Sequence, residues 1–375
     1  MPYMDIHIAS RPRAMLENMR PSRAREGVPR TYSRSELETE LTRLVEQQGS
    51  DGLNQLRDQA RDLAPKIGAH DEMEMLDALI GAILGTRDAP LETGSARAHH
   101  AGVGFDSRRL DLFAALQTEL LRSSFTERAE HPRSFPALSF FEAYFSNWIE
   151  GTEFEIEEAE EIVFERKVPE ARVEDAHDVL GTFEVVNDPA KRSQRAASPH
   201  DFVELLRSRH AQMLGRRPSA QPGSFKRRDN RAGGTSFVSW KLVEGTLIEG
   251  YRYLEPLPEG LGRAIFTMFL ISEVHPFSDG NGRVGRVFMN AELSAAGQQR
   301  ILIPLSYRED YLGGLRALSR GGDPRPLIRV LDFAQRYASA IDWSDYREAQ
   351  RTLAETNAFV PPDEAERPGN RLKLP

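Results

Sequence analysis

The chain has 375 residues, a formal charge of −8, an apolar fraction of 39% and a charged fraction of 28%. That is enough for one large or two smaller soluble cores, with no apolar run near the ~18 residues of a membrane span and no overall basic footprint for nucleic acid. Cysteine is absent, which removes disulfides, thiolate metal sites and cysteine nucleophiles and fits a cytoplasmic protein.

Residues 1–34 are polar, without a sustained period. Their arginines (Arg11, Arg13, Arg20, Arg23, Arg25, Arg30 and Arg34) are mixed with Asp5, Glu17 and Glu26 and lack the apolar core of a signal peptide. They read as a disordered tail. From Ser35 the spacing turns helical, with Leu37, Leu41 and Leu44 at i, i+4, i+7 and Ser35 as N-cap. DEMEMLDALIGAILG predicts a second amphipathic helix. Residues 86–105 read as a linker or loop, and the bare pair His99 and His100 within it as solvated rather than metal-binding. The N-terminal helical region is expected to span 35–135, and no role is read for it.

Further helices are predicted over LDLFAALQTELLRSS and FPALSFFEAYFSNWIEGTEF. Residues 150–178 hold twelve acids against three basic residues, as a solvated helix face does. PGSFKRRDNRAGGTSFV, residues 222–238, reads as a β-hairpin with a polar centre. EGLGRAIFTMFLISEVH follows as a helix with Leu261, Ile265, Met268 and Phe269 on one stripe. RVGRVFMNAELSAAG places Val284, Val287, Phe288 and Ala291 on one side of another helix. Two more helices, YREDYLGGLRALSR and PRPLIRVLDFAQRYASAIDW, precede a C-terminal tail over 346–375. The fold class is mainly α with one small hairpin.

Between two of these helices lies VHPFSDGNGRVGR, residues 274–286. Gly280, Asn281 and Gly282 begin a helix, where free N–H groups and the positive end of the dipole favour an anion. Arg283 and Arg286, three apart, can face one phosphate chain. Asp279 can hold Mg²⁺ beside phosphate oxygens, and His275 can act as a general base near neutral pH. These are parts for moving a phosphate group onto a hydroxyl. GNGRVG also fits G-x-G-x-x-G, but a helix precedes it and the ribose-binding acid is missing. No P-loop occurs. The bland alternative is a glycine-rich turn with a satisfied core histidine.

The twelve residues from His275 to Arg286 match the H-x-F-x-[DE]-G-N-G-R-x-x-R signature of Fic domains at every specified position, so the chain resembles that family. The resemblance implies a helical core over 136–345 that transfers AMP from ATP to a Ser, Thr or Tyr hydroxyl of a target protein or of itself. It implies His275 as base, Phe277 as anchor and Asp279 on Mg²⁺, with Gly280, Asn281, Gly282, Arg283, Val284, Gly285 and Arg286 as the phosphate-binding segment.

Ser146-Asn-Trp-Ile-Glu150-Gly151 resembles the [ST]-x-x-x-E-[GN] inhibitory helix of the family, which implies that Glu150 pairs with Arg286. The hairpin resembles the flap that aligns the target, with Asn230, Arg231, Ala232 and Gly233 at its centre. Tyr311 is implied as a base contact, and Ser319 stands where asparagine is frequent. Transfer of another nucleotide or phosphate group, removal of AMP at the same site, and a degenerate nucleotide-binding module are the alternative functions. Neither a membrane nor a nucleic acid is expected as partner.

Overall fold

In the computed structural model, residues 8–20, 22, 29–130 and 136–375 are described. The chain divides into two compact units, Met1–Ser107 and Arg108–Pro375, so the break falls well before the expected boundary at 135. No helix of the described residues is long and apolar enough to cross a membrane.

The first unit is helical from Arg11. Arg11–Asn18 is a helix with Pro12 in its first turn and Met15 and Leu16 buried, so the tail expected over 1–34 does not hold there. The reason is packing: Met15, Leu16 and Met19 join Leu37, Leu41 and Leu44 in one core, and Arg20 pairs with Glu72. Of the remaining tail, Asp5, Arg23, Arg25 and Glu26 lie outside the described residues.

The next helix, Arg34–Ile67, is capped by Ser33 rather than Ser35. Ser33 accepts from the Glu36 N–H while the Glu36 carboxylate reaches back to the Ser33 N–H. Gly49, at φ +69°, kinks this helix. After His70–Ile83, the expected loop contains a helix, Gly94–His100, begun by Thr93. Of the histidine pair, His99 is drawn in, 10% exposed beside Glu46, whereas His100 stays exposed with its Nδ1 2.8 Å from the Ala82 carbonyl oxygen.

The second unit has a separate core, rich in phenylalanine. At its centre lies Ala137–Ile149, with every residue from Ala137 to Asn147 buried. Leu261–Val274 and Asn281–Ala295 pack beside each other as the helix, loop, helix pair around the motif. Gly285 permits their close approach, since a Cβ there would lie 3.2 Å from Ser272 Oγ and 3.5 Å from the Met268 carbonyl oxygen. Ile156–Phe164, Val173–Asn187, Pro199–Met213 and Val243–Arg252 complete the surroundings.

The hairpin pairs Arg231 with Ser236 and Ala232 with Thr235 across Gly233, whose φ is +55°. Two helices, Arg308–Gly321 and Arg325–Ser339, follow as expected. The C-terminal tail expectation fails: Tyr346–Glu355 is a helix capped by Asp345, with Ala349 and Leu353 buried. Tyr346 stacks on Phe141 at 5.3 Å, so the segment covers the central helix.

Candidate functional site

Leu261–Val274 ends at His275, whose N–H still bonds to the Ile271 carbonyl at 2.9 Å although its φ is +52°. The left-handed region costs a non-glycine residue about 1–2 kcal/mol, so neighbouring contacts must hold it. Asn281 supplies two of them: its Oδ1 accepts from the Phe277 N–H at 2.8 Å and its Nδ2 donates to the Phe277 carbonyl at 2.9 Å. The Asn281 side chain thus closes the loop and has no atom turned outward for a phosphate. Phe277 is fully buried and stacks on His210 at 3.7 Å. Gly280 is required twice over, by φ +76° and because a Cβ would lie 2.3 Å from Leu214 Cδ1. Val284 and Gly285 face the core.

The two arginines separate. Arg283 donates to Asp178 at 2.6 Å, to Asn147 at 3.3 Å and to Asp279 at 3.3 Å. Its side chain is 3% exposed and is absent from the cavity wall described below, which corrects the expectation that both guanidinium groups face one phosphate chain. Three residues on a helix turn through about 300°, and here the buried Asp178 decides which way Arg283 points. Burial pushes the Asp178 carboxyl up, and Arg283 and Arg217 pull against that rise.

Arg286 takes the other direction. Its Nε donates to Ser146 Oγ at 3.0 Å, and its Nη2 donates to the Ser146 carbonyl at 2.7 Å and to Glu150 Oε1 at 2.8 Å. Glu150 caps the C-terminal end of Ala137–Ile149, and Gly151 turns the chain away at φ +89°. The Glu150 carboxylate sits over Gly282, where a Cβ would be 2.0 Å from Oε1. A carboxylate therefore occupies the space that a bare glycine leaves on the first turn of Asn281–Ala295.

Glu150, Gly282, Arg286 and His275 share one cavity of about 550 Å³. Its walls include Ser272, Tyr311, Leu312 and Leu315, with Ala232, Gly233, Thr235 and Phe237 from the hairpin side and Arg308, Arg316 and Arg320 beyond. The Phe237 ring lies flat on the His275 imidazole at 3.7 Å. His275 Nδ1 is 3.3 Å from the Ser272 carbonyl oxygen. A carbonyl can only accept, so Nδ1 carries the proton and Nε2 keeps the lone pair. Burial pushes the imidazole down to about 4, with the Lys226 charge adding to the shift, so it is neutral at pH 7.

Tyr311 is 1% exposed and directs its hydroxyl to Met268 Sδ at 3.4 Å, so it forms wall rather than a free contact. Asp279 is half-exposed at 49%, its Oδ1 accepting from the Gly280 N–H at 2.7 Å. Asn230 donates to the Phe277 carbonyl at 3.0 Å, and Arg231 donates to Ser236 Oγ at 3.0 Å.

The family model described as Fic/DOC family matches residues 200–293, which include every residue from His275 to Arg286. Residues 200–293 are thus similar to a Fic domain. Among curated relatives, "Protein adenylyltransferase Fic" of Culex quinquefasciatus is 27% identical over 221 residues, covering 54% of this chain and 41% of that protein. The protein of the same name from Nematostella vectensis is 27% identical over 216 residues, covering 53% and 47%. The chain spans less than half the length of these relatives. Among solved structures, Fic-1 (residues 134–508) from C. elegans covers 81% of this chain and 98% of its own, at 17% identity and a TM-score of 0.47. A Fic domain containing signaling protein from Bacteroides thetaiotaomicron covers 65% and 93%, at 18% identity and a TM-score of 0.46.

Several residues of the site escape the sequence reading. Arg308, Leu312 and Leu315 recur at i, i+4 and i+7, a helix-face spacing that could have marked them as one wall. His210 lies on a helix, Pro199–Met213, whose start was legible in Ser198 and Pro199. Its Nδ1 accepts from the Gly223 N–H at 2.9 Å, which leaves Nε2–H to donate to the Asp279 carbonyl at 3.1 Å. Nothing local in the sequence marks Asp178 or Phe237, since each meets the motif only across the fold.

Proposed function

We propose that this protein transfers AMP from ATP to a Ser, Thr or Tyr hydroxyl of a protein, itself included, and that Glu150 holds the activity down. The observation that carries the reading is the Glu150 carboxylate seated over Gly282 and bonded to Arg286, in the same cavity as a neutral His275. An anion at a helix N-terminus beside a guanidinium is the arrangement a phosphate requires, and the protein fills it with its own carboxylate.

In this reading His275 Nε2 takes the proton of the target hydroxyl. The oxygen forms a bond to the α-phosphorus as the α–β phosphoanhydride bond breaks, and pyrophosphate leaves. Arg286, once free of Glu150, orients the terminal phosphate. The hairpin presents the target, with Ala232 and Gly233 on the cavity wall.

A Mg²⁺ ion fits the donor set through Asp279. Among the described residues no group of three or more His, Cys, Asp or Glu residues is placed to hold a metal, whereas Asp279 offers a half-exposed carboxylate at the start of the helix. One carboxylate with phosphate oxygens and water is a usual Mg²⁺ environment. When bound there, the ion supplies charge neutralisation on the phosphates.

The test is incubation with Mg²⁺ and labelled ATP. The Glu150→Gly protein is expected to label protein at least ten-fold faster than the wild type, and His275→Ala in the same background to abolish labelling. Equal labelling by wild type and Glu150→Gly would remove the inhibitory role. Nucleotide binding without any label would favour a degenerate binding module.

A further inference from the structure

His275 occupies a left-handed backbone conformation at the end of its helix, which still costs a non-glycine residue. The groups holding it come largely from one short segment at the base of the hairpin. The Lys226 N–H donates to the Pro276 carbonyl at 2.8 Å. Lys226 Nζ donates to Asn230 Oδ1 at 2.7 Å and reaches the Val274 carbonyl at 3.4 Å. Asn230 Nδ2 donates to the Phe277 carbonyl at 3.0 Å. The carbonyls of Val274, Pro276 and Phe277, on both sides of His275, are thus fastened by two residues.

Lys226 is 3% exposed and does not line the cavity, so it is not placed to touch a phosphate. A buried ammonium is costly unless its donors are used, and this one uses them on the loop. We propose that Lys226 is a positioning residue which, with Asn230, fixes the left-handed turn at His275 and so the direction of its Nε2.

The charge of Lys226 has a second effect. His275 is faced by Lys226 from the hairpin base, the Phe237 ring, the Ser272 carbonyl from its own helix, Glu150 from the end of Ala137–Ile149, and Asp279 from its own loop. Of these, only Lys226 is a cation. Burial pushes Lys226 itself down to about 8, with Asp229 opposing that shift and Arg109 reinforcing it.

The experiment follows the His275 imidazole by NMR in the full chain labelled at histidine, the signal being assigned by its loss in His275→Gln. In Lys226→Met the protonation midpoint of His275 is expected to rise, with a roughly ten-fold larger protonation constant, and Lys226→Arg is expected to restore the wild-type midpoint. A merely structural role would lower stability without moving the midpoint. If Lys226→Met does not fold, the wild type still decides the matter: the His275 signal should show a second inflection near pH 8 as Lys226 titrates. An unmoved midpoint in a folded Lys226→Met protein, or no inflection in the wild type, overturns the proposal. The inference uses the reading of His275 as proton acceptor only for its consequence. Failure of label transfer by Glu150→Gly alongside the expected titration would remove the transfer reading and leave the positioning role.

Discussion

At the residue scale, the motif contains two arginines with opposite employment. Arg283 is bonded to a buried carboxylate that Arg217 also contacts at 2.8 Å. Removing Arg283 strands Asp178 with one partner fewer. Arg283→Ala is therefore expected to cost about 3 kcal/mol of stability, read as a fall of several degrees in melting temperature. Arg286→Ala is expected to cost less, because Glu150 is 30% exposed and can be hydrated. Equal thermal stability of the two variants would contradict this division.

The pH dependence follows from His275. Its folded value, about 4, lies below the ordinary 6.5, so the neutral form is the one that folding favours. The contribution is fully present above pH 6.5 and is lost as pH falls toward 4. Labelling by Glu150→Gly should hold its rate down to about pH 5 rather than declining through 6.5. An acid limb centred at 6.5 would show that the imidazole is more exposed than its stacked position under Phe237 implies.

At the element scale, the sequence marked the two helices of the motif unit because their apolar stripes are long and regular. It did not mark Tyr346–Glu355, which reads as a thinning tail: its strongly polar outer face hides the two buried positions, Ala349 and Leu353. This helix and Trp343 belong to the same core as Phe141 and Phe145 of the central helix. Truncation after residue 345 is expected to destabilise the second unit by at least the ~2–5 kcal/mol typical of losing one large buried aliphatic side chain. Thermal unfolding followed by circular dichroism would check this, an unchanged midpoint returning the segment to the status of a tail.

At the scale of the whole molecule, two units with separate cores replace the expected sequence of tail, helical region, core and tail. Residue spacing bounded the answer correctly as a helical protein with one hairpin, because helix-period patterning is local. The linker read over residues 86–105 lies just before the boundary at Ser107, but the expected boundary lies at 135 because which core each later helix joins is not written in local spacing.

The sequence by itself determined the chemical inventory: a histidine at a helix end, glycines that open a helix N-terminus, and a glutamate 136 residues before Arg286. Those followed from residue type and short-range spacing. Only the tertiary structure decided which inventory members meet. It turned Arg283 toward Asp178, set the Glu150 carboxylate over Gly282, laid Phe237 on His275 and buried Lys226 behind it. Each of these contacts joins residues far apart in the chain, and their directions are set by packing against elements whose positions no local pattern records.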